Sequence, residues 1–255
     1  MILSFINNKG GVLKTTLSTN IAGAFTKIKP NSKTVIVDLD GQGNVSATFG
    51  QHPERLNNTI IDVLRNKISI EDSIITQFPG LDILPCNHEM SFVDLDVANG
   101  DYKASDIKNI LLTLDKKYDF VIVDTPPAMS TIVSVAMSVS KLVVIPFEPD
   151  QYSMLGLMRI VETMEKFKKK NPKLSAIVVP TKYIARTRLH QDVVALIEKK
   201  LKDRNVDLSK QYISYTTKSA AAVGYERLPI VLINQKTKYQ DEYISVAKEI
   251  LNKNK

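Results

Sequence analysis

Residues 5–16 read Phe5-Ile6-Asn7-Asn8-Lys9-Gly10-Gly11-Val12-Leu13-Lys14-Thr15-Thr16: the end of an apolar strand, a glycine turn and the start of a helix. The common phosphate-loop pattern, G-x-x-x-x-G-K-[ST], needs glycine at 8 and 13, where this chain has Asn8 and Leu13. What the residues satisfy is K-G-G-x-x-K-[ST], in which Lys9 is an additional lysine. The run Met1 to Ile6 suits a buried parallel strand. At Gly10-Gly11 the missing Cβ lets backbone N–H groups close around phosphate oxygens, with Val12 and Leu13 completing the loop. From Thr15 the chain opens a helix whose N-terminal partial positive charge faces the same anion. Lys14 is expected to bridge the β- and γ-phosphates of a nucleotide, Thr15 to place its hydroxyl on Mg²⁺, and Thr16 to bond the α-phosphate. Leu13 is expected to keep an ordinary φ, because a left-handed leucine costs on the order of 1 kcal/mol.

Two further strands end in carboxylates. Thr34–Asp38 runs into Leu39-Asp40-Gly41-Gln42-Gly43-Asn44, and alternation puts Asp38 and Asp40 on one side of the strand. Phe120–Asp124 is followed by Thr125-Pro126-Pro127, where the prolines stop the strand. Asp124 at its end is placed to hold Mg²⁺ through a water. Taken singly, either acid is equally a strand-capping residue; behind the loop of residues 9–16, in this order, they form a nucleotide site.

Together these segments carry the deviant Walker A motif, a D-x-D-x-Q-x-N switch segment with Gly41 where proline is common, and a Walker B strand. The chain resembles the ParA/MinD superfamily, and within it the small ParA-type partition ATPases that lack an N-terminal helix-turn-helix domain. The resemblance covers nearly the whole chain. It implies that Lys9 reaches across a homodimer interface to the partner's ATP, that Asp40 orients the attacking water and that Asp38 supports the magnesium shell. It also continues through Pro146–Gly156 and Pro180–Leu189. Thr181 stands where such proteins often carry an adenine-contacting asparagine, and Ile213-Ser214-Tyr215 where they often have Ile-Pro-Arg. Thr181-Lys182-Tyr183-Ile184 lacks the acid of a guanine-reading Asn-Lys-x-Asp segment, which favours ATP.

With 255 residues, 44% of them hydrophobic, the chain can bury one large core as a single domain, 1–255. The expected fold is α/β, a mostly parallel twisted sheet with helices on both faces. Strands are expected at Ile2–Ile6, Thr34–Asp38, Leu81–Leu84, Phe120–Asp124, Leu142–Phe147 and Ala176–Thr181. Helices are expected near Thr15–Lys27, Asn58–Arg65, Ala104–Leu114, Met154–Lys169 and Leu189–Leu201. Asn87 to Lys103 reads as a loop or short helix. The one cysteine, Cys86, excludes an internal disulfide, argues against the paired-cysteine cluster carriers of the superfamily, and reads as a buried filler. No run of ~18 apolar residues suggests a membrane span, and the first strand at the N-terminus leaves no room for a signal peptide. A cytoplasmic, nucleoid-associated protein is the expectation.

Charge is polarised. Residues 160–255 carry a net +10 and residues 1–159 a net −3. A basic half suggests a polyanion partner, with duplex DNA ahead of anionic lipid. Lys168–Lys170 and Lys199-Lys200 read equally as solvated helix ends. Lys182, Arg186, Arg188, Lys218 and Arg227, in loops and helix starts, are the better DNA candidates, and no aromatic platform accompanies them in sequence. A MinD-like membrane ATPase would need an exposed apolar face on the last helix; here residues 243, 244, 247, 250 and 251 form one stripe that suits core docking. The reading is an ATP-driven dimer that binds DNA without sequence preference and segregates a plasmid or chromosome with a ParB-like adaptor. The alternatives are the membrane-associated form and a ParA-like ATPase that positions another cargo.

Overall fold

Ile2–Phe5 (β1) is buried along its whole length and lies inside the sheet, flanked by two parallel neighbours. The protein is described, over residues 1–202 and 204–253, from a computed structural model. After β1 come α1 (Lys14–Ile28), β2 (Thr34–Asp38), α2 (Asn44–Thr48), α3 (Ile60–Leu64) and α4 (Ile70–Ser73). β3 (Ile75–Phe78), β4 (Leu81–Leu84), α5 (Val93–Asn99), α6 (Ala104–Asp115), β5 (Phe120–Asp124) and α7 (Thr131–Val139) follow. The second half holds β6 (Leu142–Phe147), α8 (Gln151–Phe167), β7 (Ser175–Pro180), α9 (Arg188–Leu201), β8 (Val206–Leu208), α10 (Lys218–Ala221) and α11 (Lys238–Lys253).

The strands order as β3-β4-β2-β5-β1-β6-β7-β8, and every pair is parallel except β3 with β4. A sheet covered on both faces needs apolar residues on both sides of each strand, and the alternation delivers them. Leu3 and Phe5 of β1 join Ile36 and Val144 under α1 and α11, while Ile2 turns to the other face with Val35 and Val37. Farther along that second face, Val143 and Ile145 pack with Leu157 of α8 and Ile197 of α9. The expected α/β fold with helices on both faces is what forms.

Departures have local causes. α8 starts at Gln151 instead of Met154 because the Asp150 side chain accepts from the Ser153 N–H and caps it. Asn87–Lys103 becomes a 3-10 turn, His88–Phe92, that runs directly into α5. α7, all apolar residues and small hydroxyls, shows no polar face to give it away in sequence. β3 and β8 are short edge strands, only partly buried. The stripe on α11 docks into the core as expected, with Tyr243, Val246, Ala247 and Ile250 buried.

Candidate functional site

The carboxyl ends of parallel strands are where an α/β sheet collects a ligand, and here β1, β2 and β5 end around a cavity of about 620 Å³. Lys9, Gly10, Gly11, Leu13, Lys14, Thr15 and Thr16 line one side of it, with Asp40, Gln42 and Asn44 beside them. Val12 is the exception in the loop, its side chain buried in the core.

The loop is a left-handed turn entering a helix. Gly11 has φ 74° and Leu13 has φ 66°, ψ 31°. This corrects the expectation of an ordinary φ at Leu13. The turn that points successive N–H groups inward requires the left-handed region at that position, and leucine adopts it at a cost of about 1–2 kcal/mol. Leu13 is also the N-cap of α1, offers no side-chain cap, and is followed by no acid in the first turn. Ordinary helices cap those amides with Ser, Thr, Asp or Asn; this one presents them to the cavity.

Beneath the loop sit two buried carboxylates. Asp38 and Asp124 are direct partners across β2 and β5 and are fully buried. Burial pushes the Asp38 carboxyl well above its ordinary range, and the Asp124 charge adds to the effect. Both Asp38 oxygens accept backbone N–H groups of the switch segment, from Asp40 at 3.1 Å and Val45 at 3.2 Å. The strand ends at Asp38, so Asp40 lies beyond the pleat that was expected to align the pair; Asp40 lines the cavity and Asp38 does not. Burial likewise raises Asp124, while Lys14 and the Thr15 hydroxyl favour its charged form. Thr15 Oγ1 donates to Asp124 Oδ2 at 2.5 Å, and Asp124 Oδ1 is buried with no hydrogen-bond partner among the described residues. An orphaned carboxylate oxygen beside a threonine hydroxyl is a donor set for a hard divalent cation. Lys14 Nζ stands 3.8 Å from Asp40 Oδ2.

Lys9 is folded back on its own subunit. Its ammonium donates to Asp150 Oδ2 at 2.7 Å and to Ser153 Oγ at 3.0 Å, and lies 3.6 Å from Glu148. The Asp150 bond raises the Lys9 pKa. For Asp150, burial acts upward, but the bonds from Lys9 and Ser153 prevail and bring it down to about 2. The loop is strapped to this same corner: Asn7 Nδ2 donates to the Pro146 carbonyl at 2.6 Å, and a Cβ on Gly156 would lie 2.8 Å from Asn8 Oδ1.

Thr181 does not reach the cavity. It is fully buried and its hydroxyl donates to the Val12 carbonyl at 3.0 Å, so the expected base contact is replaced by a bond to the loop's backbone. The wall opposite the loop is instead Ser214, Thr216, Ser219, Ala220, Val223, Gly224 and Tyr243. In sequence, only the departure of residues 213–215 from Ile-Pro-Arg and the small-residue run 219–224 before the last helix pointed toward this wall. A π turn at Ala222–Glu226 shapes that wall. Gly41 is explained by packing: a Cβ there would fall 2.1 Å from Ser91 Oγ and 2.8 Å from its backbone nitrogen. Cys86 is buried as expected, its thiol donating to the Asp40 carbonyl at 2.9 Å.

The basic residues divide. Lys182 and Arg186 lie in the β7–α9 connection and Arg188 opens α9, and the Tyr183–Ser214 bridge brings that loop beside the segment leading to Lys218. Lys182 stands 3.5 Å from Glu148, and Arg188 stands 3.7 Å from Asp192. Arg227 is apart from them, its stem packed against Gly50 at the end of α2. The fold also supplies aromatics that were not visible as a group: Tyr183 and Tyr212 rings lie 4.6 Å apart, and Tyr215 is exposed near by.

The AAA domain family (AAA_31) matches residues 1–176. A ParA family protein of Mycoplasma pneumoniae is 58% identical over 99% of this chain and 97% of its own length. The chain belongs to the ParA family. More distant relatives span it equally well: the sporulation initiation inhibitor protein Soj of Bacillus subtilis, 26% identical over 98% of this chain and 97% of its own, and the chromosome partitioning protein ParA of Caulobacter vibrioides, 25% identical over 99% and 94%. Among solved structures, a plasmid partition protein of Borrelia burgdorferi bound to AMPPNP superposes with TM-score 0.79 at 22% identity, covering 99% of this chain and 98% of that one. Cobyrinic acid a,c-diamide synthase of Mycobacterium smegmatis superposes with TM-score 0.81 at 23% identity, covering 98% and 94%. An enzyme of different chemistry shares the ParA fold, so these likenesses establish architecture alone.

Proposed function

We propose that this ParA family protein is an ATP-dependent dimerising switch that binds duplex DNA without sequence preference and segregates a plasmid or chromosomal locus with a ParB-like adaptor. The observation that carries the reading is the cavity wall with two lysines in different states. Lys14 is buried over the uncapped start of α1, and Lys9 is partly exposed at the rim. Lys14 and the N–H groups from Gly10 to Thr16 hold the phosphates of ATP. Thr15 and Asp124 hold Mg²⁺, with Asp38 supporting them from the neighbouring strand. Mg²⁺ bound there offsets charge on the phosphate oxygens. Asp40, whose other oxygen accepts the Gln42 N–H at 3.1 Å, orients the attacking water. Lys9 leaves Asp150 and crosses to the partner's nucleotide, so its parked state competes with dimerisation.

The apolar stripe of α11 is docked in the core, which favours DNA over the membrane-associated form. Lys182, Arg186, Arg188 and Lys218 form the DNA-facing loops, with Arg227 a separate contact. Doubling these contacts in a dimer makes binding dependent on ATP and steeply dependent on salt, with a log–log slope of about −0.9 per neutralised phosphate.

Light scattering with ATP and Mg²⁺ separates the roles. Lys9→Ala is expected to bind ATP and remain monomeric, and Asp40→Ala to accumulate as the dimer; dimerisation of both like the wild type rejects the in-trans lysine. In gel shifts with random duplexes at several salt concentrations, the combined Arg186→Glu, Arg188→Glu and Lys218→Glu variant is expected to dimerise normally with a shallower slope. Equal DNA binding in ATP and ADP rejects the switch, and binding to anionic vesicles in place of DNA moves the reading to a membrane-associated form.

A further inference from the structure

The Val12–Leu13 peptide is trans, so its C=O and N–H point in opposite directions from one rigid plane. The Val12 carbonyl accepts the buried Thr181 hydroxyl at 3.0 Å. That bond faces away from the cavity, which Leu13 and Lys14 line and Val12 and Thr181 do not. Fixing the carbonyl therefore turns the Leu13 N–H to the cavity side, where the proposed nucleotide places its phosphates.

Leu13 makes this tie matter. With glycine at that position the left-handed conformation would be freely available. A leucine is biased away from φ 66°, so the plane needs an outside hold to stay turned. Thr181 is well placed to supply one. Its own N–H donates to the Phe147 carbonyl at 2.8 Å, which anchors it to the end of β6, and its β-branched side chain has restricted χ1.

We infer that Thr181 is a positioning residue of the phosphate loop: it holds the Val12 carbonyl so that the left-handed Leu13 presents its N–H to the nucleotide phosphates. Thr181 touches no phosphate itself and acts through the backbone of a residue that does. The inference rests on the ATP reading proposed above.

The test is a double-mutant cycle on equilibrium binding of a fluorescent ATP analogue, with Lys14→Ala as a control. Thr181→Val keeps the shape and removes the hydroxyl, and is expected to weaken binding about tenfold, the effect of one buried hydrogen bond. Thr181→Ser is expected to bind within about twofold of wild type, since it restores the donor. In a Leu13→Gly background Thr181→Val is expected to cost less than about threefold, because glycine holds the turn unaided. Wild-type affinity in Thr181→Val overturns the inference. An equal loss with and without the Leu13→Gly substitution also overturns it, since that is the signature of a general packing role. If Thr181→Val fails to fold, Thr181→Ala against Thr181→Ser reads the same hydroxyl, and equal binding by these two overturns it. Wild-type binding by Lys14→Ala removes the nucleotide reading itself and leaves a different signature from any of these.

Discussion

The two walls of the cavity are built on opposite principles. Residues 9–16 and 40–44 form a wall of fixed charge and oriented backbone: Lys9, Lys14 and Asp40 at its surface, Asp38 and Asp124 buried behind it. The facing wall, Ser214, Thr216, Ser219, Ala220, Val223, Gly224 and Tyr243, carries no carboxylate and no ammonium. Within it Ser219 and the Tyr243 hydroxyl lie 3.3 Å apart, and burial pushes that phenol up to about 12, so it stays neutral. A charged wall of this kind grips a polyanion strongly whatever is attached to it. A wall of small neutral side chains selects by shape, and each of its contacts is worth little. The ligand such a cavity suits has a phosphate chain at one end and an uncharged ring at the other.

The largest expected effect comes from removing charge on the first wall. Lys14→Ala leaves the buried acids beside the loop without their cation and should weaken ATP binding about 10²-fold or more. Inorganic pyrophosphate should lose affinity by a similar factor, because the lysine reads phosphate and not base. Competition titration against a fluorescent ATP analogue measures both. A variant that loses ATP but keeps pyrophosphate would mean the walls have been assigned the wrong way round.

That contrast also explains what could be read in advance. The phosphate wall is local in sequence: Lys9 to Thr16 lie within eight residues, and Asp38, Asp40 and Asp124 each end an apolar run that is visible without the fold. The facing wall is assembled by folding: α11 packs on α1 and brings Tyr243 to the cavity beside Ser219. No spacing announces such a meeting. Leu13 and Thr181 failed for the same reason from two sides. Propensity gives leucine an ordinary φ, and the bond from the distant Thr181 hydroxyl to the Val12 carbonyl is a long-range contact that no local spacing reveals. A residue can break its local preference where a long-range partner holds it, and such places gather at functional sites.

The rim offers a smaller test of how the charged wall is controlled. Asp150→Asn keeps the helix cap of α8, because asparagine caps as well as aspartate, but removes the charge that holds Lys9. Partly exposed ion pairs are weak, so the ATP concentration needed for half-maximal dimerisation should fall by only about threefold. Sedimentation velocity across an ATP series reads it, and an unchanged midpoint would mean that parking Lys9 costs the dimer nothing. The pH dependence follows from the depressed carboxyl of Asp150. Its contact with Lys9 is fully formed above the ordinary aspartate range and is lost only as pH falls toward about 2. Between pH 6 and 8 this pair should leave the dimerisation midpoint unmoved.

The neutral wall offers the test that bears most directly on the division. Ala220 lies on α10 and lines the cavity opposite the phosphate loop. Leucine is nearly as good a helix former as alanine, so Ala220→Leu adds bulk to the wall with little cost to the helix. If this wall holds the ring of the nucleotide by shape, the added methylenes crowd it, and ATP affinity should fall by about three- to tenfold. Pyrophosphate, which has no ring, should bind as to the wild type. Isothermal titration with the two ligands separates the walls in a single variant. A loss shared equally by ATP and pyrophosphate would place phosphate against residue 220. No loss of either would mean that the ring lies elsewhere, outside the space between α1 and α10.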